Sequence, residues 1–193
     1  MNRVVVLCAL CLALTGCAFT PQGITLTPKV EVAPSEIGKG KELPLNVVDE
    51  RAKKTLGTVG ARNIGADITI NGDIVVSVQK AISEGLSRMN FKPTTDRNGM
   101  KNELRVEIRN LDYTVIVGFW AGTLRVDAAL KGICLRDGLR PYEKLHHGEF
   151  VESVQVVQSQ EANTEYINQA LSTAVNALLS DKELIACLAG QGK

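Results

Sequence analysis

Apolar and polar positions change period several times along this chain, and each change marks an element. Ile24, Leu26, Val30 and Val32 alternate with Thr25, Thr27, Lys29 and Glu31, which is strand periodicity. Pro28 restricts such a strand to a sheet edge. Pro34 to Glu42, with Gly38, Gly40 and interspersed charge, reads as loop. LPLNVVDER then predicts a strand over 45–50, followed by a turn through Lys53 and Lys54 and a second strand in LGTVGAR. ADITI, after Gly65, is a brief third strand.

The period then lengthens. Ile74, Val75, Val78, Ile82, Leu86 and Met89 fall on one face of a helix, with Asn71 or Asp73 as cap and Arg88 and Asn90 at the exit. From Asn102 to Ser159 the period is two again. Leu104, Val106 and Ile108 keep one phase, whereas Leu111, Tyr113, Val115 and Val117 keep the other, so a β-bulge is expected near Asn110. A second long strand covers 123–135, and a third, after the Asp137-Gly138 turn and Pro141, covers 143–158. Ile167, Leu171, Ala174, Val175 and Leu178 close the series as a second amphipathic helix, with Glu161 and Glu165 near its positive end. One-sided stripes on two helices and one-sided alternation in the strands predict an α+β fold, a two-layer sandwich of a mostly antiparallel sheet packed by two amphipathic helices.

The first residues obey a different rule. Val4 to Leu14 is an apolar run of 11 residues preceded only by Met1, Asn2 and Arg3, whereas a bilayer-crossing helix needs about 20. This is the form of a secretory signal. Its end, Leu14-Thr15-Gly16-Cys17, resembles the lipobox of bacterial lipoproteins. The resemblance implies cleavage after Gly16, a diacylglyceryl group on the Cys17 sulfur and an acylated new amino terminus. One acyl chain binds a membrane only marginally, whereas two or more hold stably. The bland alternative is a buried cysteine after a helix. In such lipoproteins Ala18, in place of an inner-membrane-retaining aspartate, favours the periplasmic face of the outer membrane. The expected organisation is a signal peptide over 1–16, a lipidated N-terminus and tether with an edge strand over 17–44, one α+β domain over 45–189 and a short tail over 190–193.

Loss of the leader changes the charge and the cysteine count. Arg3 goes with it, leaving 21 basic against 21 acidic side chains, without the basic excess that nucleic-acid binding requires. Cys8 and Cys11 are also removed and Cys17 is acylated, so only Cys134 and Cys187 remain. An oxidising compartment permits a disulfide between them, and two small buried hydrophobes that never meet is the equal alternative.

At this point the chain resembles the YajG-like bacterial lipoproteins. The likeness lies in the lipobox, the ITLTPKVEV strand, the VVDERAKKTLGTVGAR hairpin, the helix, the LRVEIRNLDYTV strand and the terminal helix. That family is functionally uncharacterised, so the resemblance implies a location and a fold and no reaction. GFWAGT replaces a polar turn after the long strand.

Candidate chemistry is sparse. Phe119 and Trp120, between Gly118 and Gly122, either insert into a lipid surface or partner groove or fold back under the sheet end. Asp49 and Arg51, two apart, either orient a ligand or pin a turn. The polar strand face with Arg105, Glu107 and Arg109 is a candidate partner surface. His146 and His147 are adjacent, so on a strand they point to opposite faces and do not share a metal. No nucleophile elbow or Cys-His cluster is present. The expectation is a binding or accessory module without catalytic residues, metal or cofactor, attached to the membrane and engaging an envelope protein, peptidoglycan or a lipid. The alternative is an envelope hydrolase or transferase using carboxylates such as Asp127 and Glu149 that meet only in space.

Overall fold

A computed structural model describes residues 20–61, 64–97, 99–118, 121–154 and 158–191. Cys17, the signal segment, Phe119, Trp120 and the last two residues of the expected tail lie outside the described residues. In chain order the elements are β1 (Gln22–Thr25), β2 (Glu42–Asp49), β3 (Gly57–Ala61), β4 (Ile64–Asn71), α1 (Ile74–Arg88), β5 (Lys92–Thr94), β6 (Asn102–Val117), β7 (Gly122–Arg136), β8 (Leu139–Val154), α2 (Gln160–Leu179) and α3 (Lys182–Leu188). The fold is α+β. The strands form two mixed sheets, of order β1-β4-β3 and β5-β2-β6-β7-β8.

Three features depart from the sequence expectation. The larger sheet is mixed: β2 runs parallel to both β5 and β6, whereas β6, β7 and β8 are antiparallel. The expected hairpin through VVDERAKKTLGTVGAR does not form, because β2 stays beside β6 and the chain leaves that sheet, so that β3 pairs with β4. A third helix, α3, follows α2 directly, with Asp181 capping it by accepting from the amides of Glu183 and Leu184.

The long strands follow the alternation closely. Ile108 is level with Leu130 and Asn110 with Ala129, so Arg109 is the extra residue of a bulge. This slip lets Leu104, Val106 and Ile108 before it, and Leu111 and Tyr113 after it, all point to the core. Asp137 (φ 50°) and Gly138 (φ 80°) make a two-residue turn with both central residues in the left-handed region, the geometry that suits a twisted hairpin. Pro141 lies within β8, which is an edge strand, where a missing amide proton costs no ladder bond.

The helices cover one face of the larger sheet. Ile74, Val78, Ala81, Ile82 and Leu86 of α1 recur at helical spacing and are buried, and α1 packs against β2. Asp73 caps it, and Asn90 (φ 59°) turns the chain out at its end. Ile167, Leu171, Ala174, Val175 and Leu178 of α2 are fully buried over β7 and β8. Gly148 of β8 lies directly under α2: a Cβ there would meet the Ala170 carbonyl oxygen at 2.0 Å.

Residues 20–44, expected as a tether, are part of the body of the domain. β1 does take a sheet edge, parallel to β4, but it ends at Thr25, and the alternation beyond it serves a different partner. The amides of Thr27, Lys29 and Glu31 donate to Asn168 Oδ1 (2.6 Å), Ser172 Oγ (2.8 Å) and Asn176 Oδ1 (2.9 Å). Asn168 and Asn176 donate back to the carbonyls of Thr25 and Lys29. The match is metric: two residues of extended chain advance about 6.6 Å and one i,i+4 step of a helix about 6 Å, so a polar ladder on α2 replaces a neighbouring strand. Only odd-numbered amides are read, so Pro28 forfeits nothing. Even-numbered Leu26 and Val30 are buried on the other side.

Candidate functional site

The face of the larger sheet away from the helices carries the densest charge. On β6, β7 and β8 the outward residues carry charges of both signs, alternating along β6 through Glu103, Arg105 and Glu107, while Asp112, Asp127 and Glu149 stand level across the three strands. Arg105 reaches Glu107 (3.1 Å) and Glu50 (3.4 Å), and Arg109, carried on the bulge, reaches Glu107 (3.4 Å). Lys131 pairs with Glu143 at 2.9 Å, and Arg125 bridges Asp127 and Glu149, which are cross-strand neighbours. Leu145 and Val151, 42% and 51% exposed, stand among these charges. Glu107 is itself buried, held between Arg105 and Arg109, so it orders the two arginines more than it contacts solvent. Asp127 and Glu149 are thus tied to one guanidinium on an open face. Each exposed pair contributes little to stability, and what the array does is hold charged side chains of both signs in set positions.

A second cluster lies where β2 ends. Asp49 accepts from Arg51 Nε (2.9 Å) and Nη2 (3.0 Å), from the Arg51 amide (3.2 Å) and from Lys54, whose Nζ also reaches the Asp49 carbonyl. The pair pins the turn that diverts the chain from the larger sheet. It borders a concavity of 400 Å³ shared with Lys54, Thr69 and Asp73. Arg51 is buried and its Nη1 has no protein partner. Burial alone would raise the Asp49 pKa, but the hydrogen bonds from Arg51 and Lys54 prevail and hold it at about 2.

The sign of that shift makes a prediction. A carboxylate depressed from 3.8 to about 2 contributes stability that is fully present above about pH 4 and lost as pH falls through 2. Asp49→Asn is therefore expected to cost about 2 kcal/mol at pH 7, and the difference from wild type should shrink below about 1 kcal/mol at pH 2. Urea unfolding of both proteins at the two pH values measures it. A difference independent of pH would show that packing, and not charge, makes the contact.

A third cluster was not anticipated from the sequence. Tyr142, Lys144 and His146 share the helix-facing side of β8, and all three converge on Asp181, the cap of α3. The Tyr142 hydroxyl donates to Asp181 Oδ2 at 2.9 Å, Lys144 Nζ lies 3.4 Å from the same oxygen, and His146 Nε2 lies 3.7 Å away without a hydrogen bond. Burial lowers the His146 pKa, against the pull of Asp181, so the imidazole stays neutral at neutral pH. Burial would raise the Asp181 pKa, but the Leu184 amide, Tyr142 and Lys144 lower it. The readable signal was the i, i+2, i+4 spacing of Tyr, Lys and His on one strand. His147, the adjacent residue, is exposed. Among the described residues no group of three metal-ligating side chains is close enough to hold an ion.

Cys134 and Cys187 form a disulfide with Cα atoms 6.4 Å apart, joining β7 to α3. A polar groove of 630 Å³ follows the ladder between residues 27–31 and α2, lined by Lys29, Glu31, Glu165 and Gln169 among others.

Among the described residues no helix is long and apolar enough to cross a membrane, and the amino-terminal strap is held against α2 as part of the α+β domain. Residues 28–189 match the family described as uncharacterized lipoprotein, and the chain belongs to that family. No curated protein matches the sequence. Among solved structures the chain is similar to a Xanthomonas campestris protein of the DUF330 family, with 11% identity and a TM-score of 0.54 over 90% of this chain and 99% of that one. It also matches a minor lipoprotein from Acinetobacter baumannii (9% identity, TM-score 0.42, 79% and 94% covered). A third match is uncharacterized lipoprotein B from Nitrosomonas europaea (11% identity, TM-score 0.42, 84% and 94% covered). The first of these shows a shared fold.

Proposed function

We propose that this lipoprotein is acylated at Cys17, resides on the periplasmic face of the outer membrane, and works there as a non-catalytic binding or accessory module of the cell envelope. One observation carries the binding role: the outward face of β6, β7 and β8 presents ion-paired charge of both signs with two exposed aliphatic side chains, and no described helix covers it. Such a face recognises a partner of complementary charge and suppresses wrong ones. Arg105, Glu107 and Arg109 supply its β6 edge, and Arg125 and Lys131 its centre. The partner class that fits is an envelope protein or the peptide and sugar of peptidoglycan, reached from a lipid anchor.

Two linked measurements test this. Labelled palmitate should enter the wild-type protein and not Cys17→Ser, and the labelled protein should fractionate with outer membrane. A photo-reactive residue in place of Lys131 should then capture an envelope component, and the added change Arg105→Glu should abolish that capture. Capture that is indifferent to the charge change would move the binding site away from this face.

A further inference from the structure

The path of the chain at its amino-terminal end has a consequence for how the domain sits on a membrane. Gln22, the first residue of β1, is fixed in place: its side chain donates to the Gln158 carbonyl (3.2 Å) and accepts from Asn163 Nδ2 (2.8 Å) in the first turn of α2. It is buried, and its strand is in register with β4 from Ile68 onward. From here residues 27–31 run along α2 in the same direction as the helix, contacting Asn168, then Ser172, then Asn176. The chain thus enters the domain at the amino-terminal end of α2. That end is also the turn end of the β6–β7 hairpin, where Val117 faces Gly122, because Val154, four residues before Gln158, is level with Gly122. Ile116, 60% exposed, and Gly118 belong to the same end.

The opposite end carries the Asp137-Gly138 turn, the Tyr142–Asp181 cluster and α3. From Thr123 to Arg136, β7 connects the two ends over about 43 Å at roughly 3.3 Å per residue.

Only five bonds of the Cα trace separate Cys17 from Gln22. However those residues are arranged, covalent geometry limits their span to about 18 Å, less than half the length of the domain. We propose that this short leash holds the domain end-on. The Gln22, Ile116 and Gly118 end rests at the lipid surface, and the Asp137-Gly138 turn and α3 project about 40 Å into the periplasm. The open charged sheet face then stands upright from the membrane and not flat against it, available to partners alongside. This orientation rests on the acylation of Cys17 proposed above.

Single-cysteine labelling of the acylated, disulfide-bonded protein tests the orientation. A fluorescent donor is placed at Ile116→Cys or at Leu139→Cys, which is 72% exposed at the far end. The protein is reconstituted in vesicles of phosphatidylethanolamine and phosphatidylglycerol with an acceptor on the headgroup. Energy transfer should be several-fold stronger from position 116 than from 139. An insertion of about 20 Gly and Ser residues between Phe19 and Thr20, with an r.m.s. span of about 25 Å, should collapse that difference while the protein still floats with the vesicles. Equal transfer, stronger transfer from 139, or a difference that survives the insertion overturns the leash. A protein that does not float with vesicles at all overturns the acyl anchor first, and the orientation with it.

Discussion

Replacing Cys134 and Cys187 by alanine is expected to lower the unfolding free energy by about 4 kcal/mol, because the closed loop is long. The two residues are 53 apart in sequence, and a cross-link of that reach removes much of the freedom of the unfolded chain. For a protein of this size the loss corresponds to a fall in melting temperature of about 8–16 °C. The effect should be uneven through the structure. The helix that Cys187 anchors has seven residues, too few to persist without tertiary contacts. Its other attachments include Leu184, Ile185 and Leu188, all buried, the Asp181 cap, the bond from Lys41 to the Ala189 carbonyl, and the bond from Arg136 Nη2 to the Cys187 carbonyl at 2.8 Å. Hydrogen exchange in α3 should therefore accelerate under reducing conditions more than in α1, which has no covalent tie. A melting temperature unchanged by reduction would mean that the helix is docked by packing alone.

How far the sequence determines this architecture depends on the range of the interaction. Local periodicity was enough for the two long helices, though not for the seven-residue α3, and it also placed the bulge, since the switch of apolar phase between Ile108 and Leu111 cannot be met by a regular strand. The Asp49–Arg51 contact was equally readable, because two side chains two residues apart need no distant partner. The alternation from Ile24 to Val32 was read correctly for burial and wrongly for partner. A period of two says which residues turn inward, not whether the backbone meets a strand or a helix. Here the partner was written elsewhere, as Asn168, Ser172 and Asn176 at i,i+4 spacing on a helix. The parallel pairing of β2 with β6 and the convergence of Tyr142, Lys144 and His146 on Asp181 join segments tens of residues apart, where local pattern carries no register. Cys17, Phe119 and Trp120 lie outside the described residues, so the lipid anchor and the aromatic turn stand on sequence alone.

The other large effect concerns a single methyl group. Gly148→Ala would place a Cβ 2.0 Å from the Ala170 carbonyl oxygen and 2.5 Å from the Ala174 amide nitrogen, both in the backbone of α2. No side-chain rotation relieves such a contact; the helix must move off the sheet. That motion would open the core under Ile167, Leu171 and Ala174 and would carry Asn168 and Ser172 away from the strap they hold. Overpacking ordinarily costs about 1–3 kcal/mol, and a site closed by backbone on both contacts belongs at the upper end, about 3 kcal/mol. Gly132→Ala makes the informative comparison, since its Cβ would meet the Leu184 Cδ2 methyl at 2.9 Å, the far end of a side chain that can turn aside. It is expected to cost about 1 kcal/mol or less. Urea midpoints of the two variants, measured at one pH with the disulfide intact, give the order directly. If Gly148→Ala unfolds at the wild-type midpoint, α2 is not seated on β8 as closely as the contact of Gly148 with Ala170 requires, and the metric match between the helix and the strap loses its base.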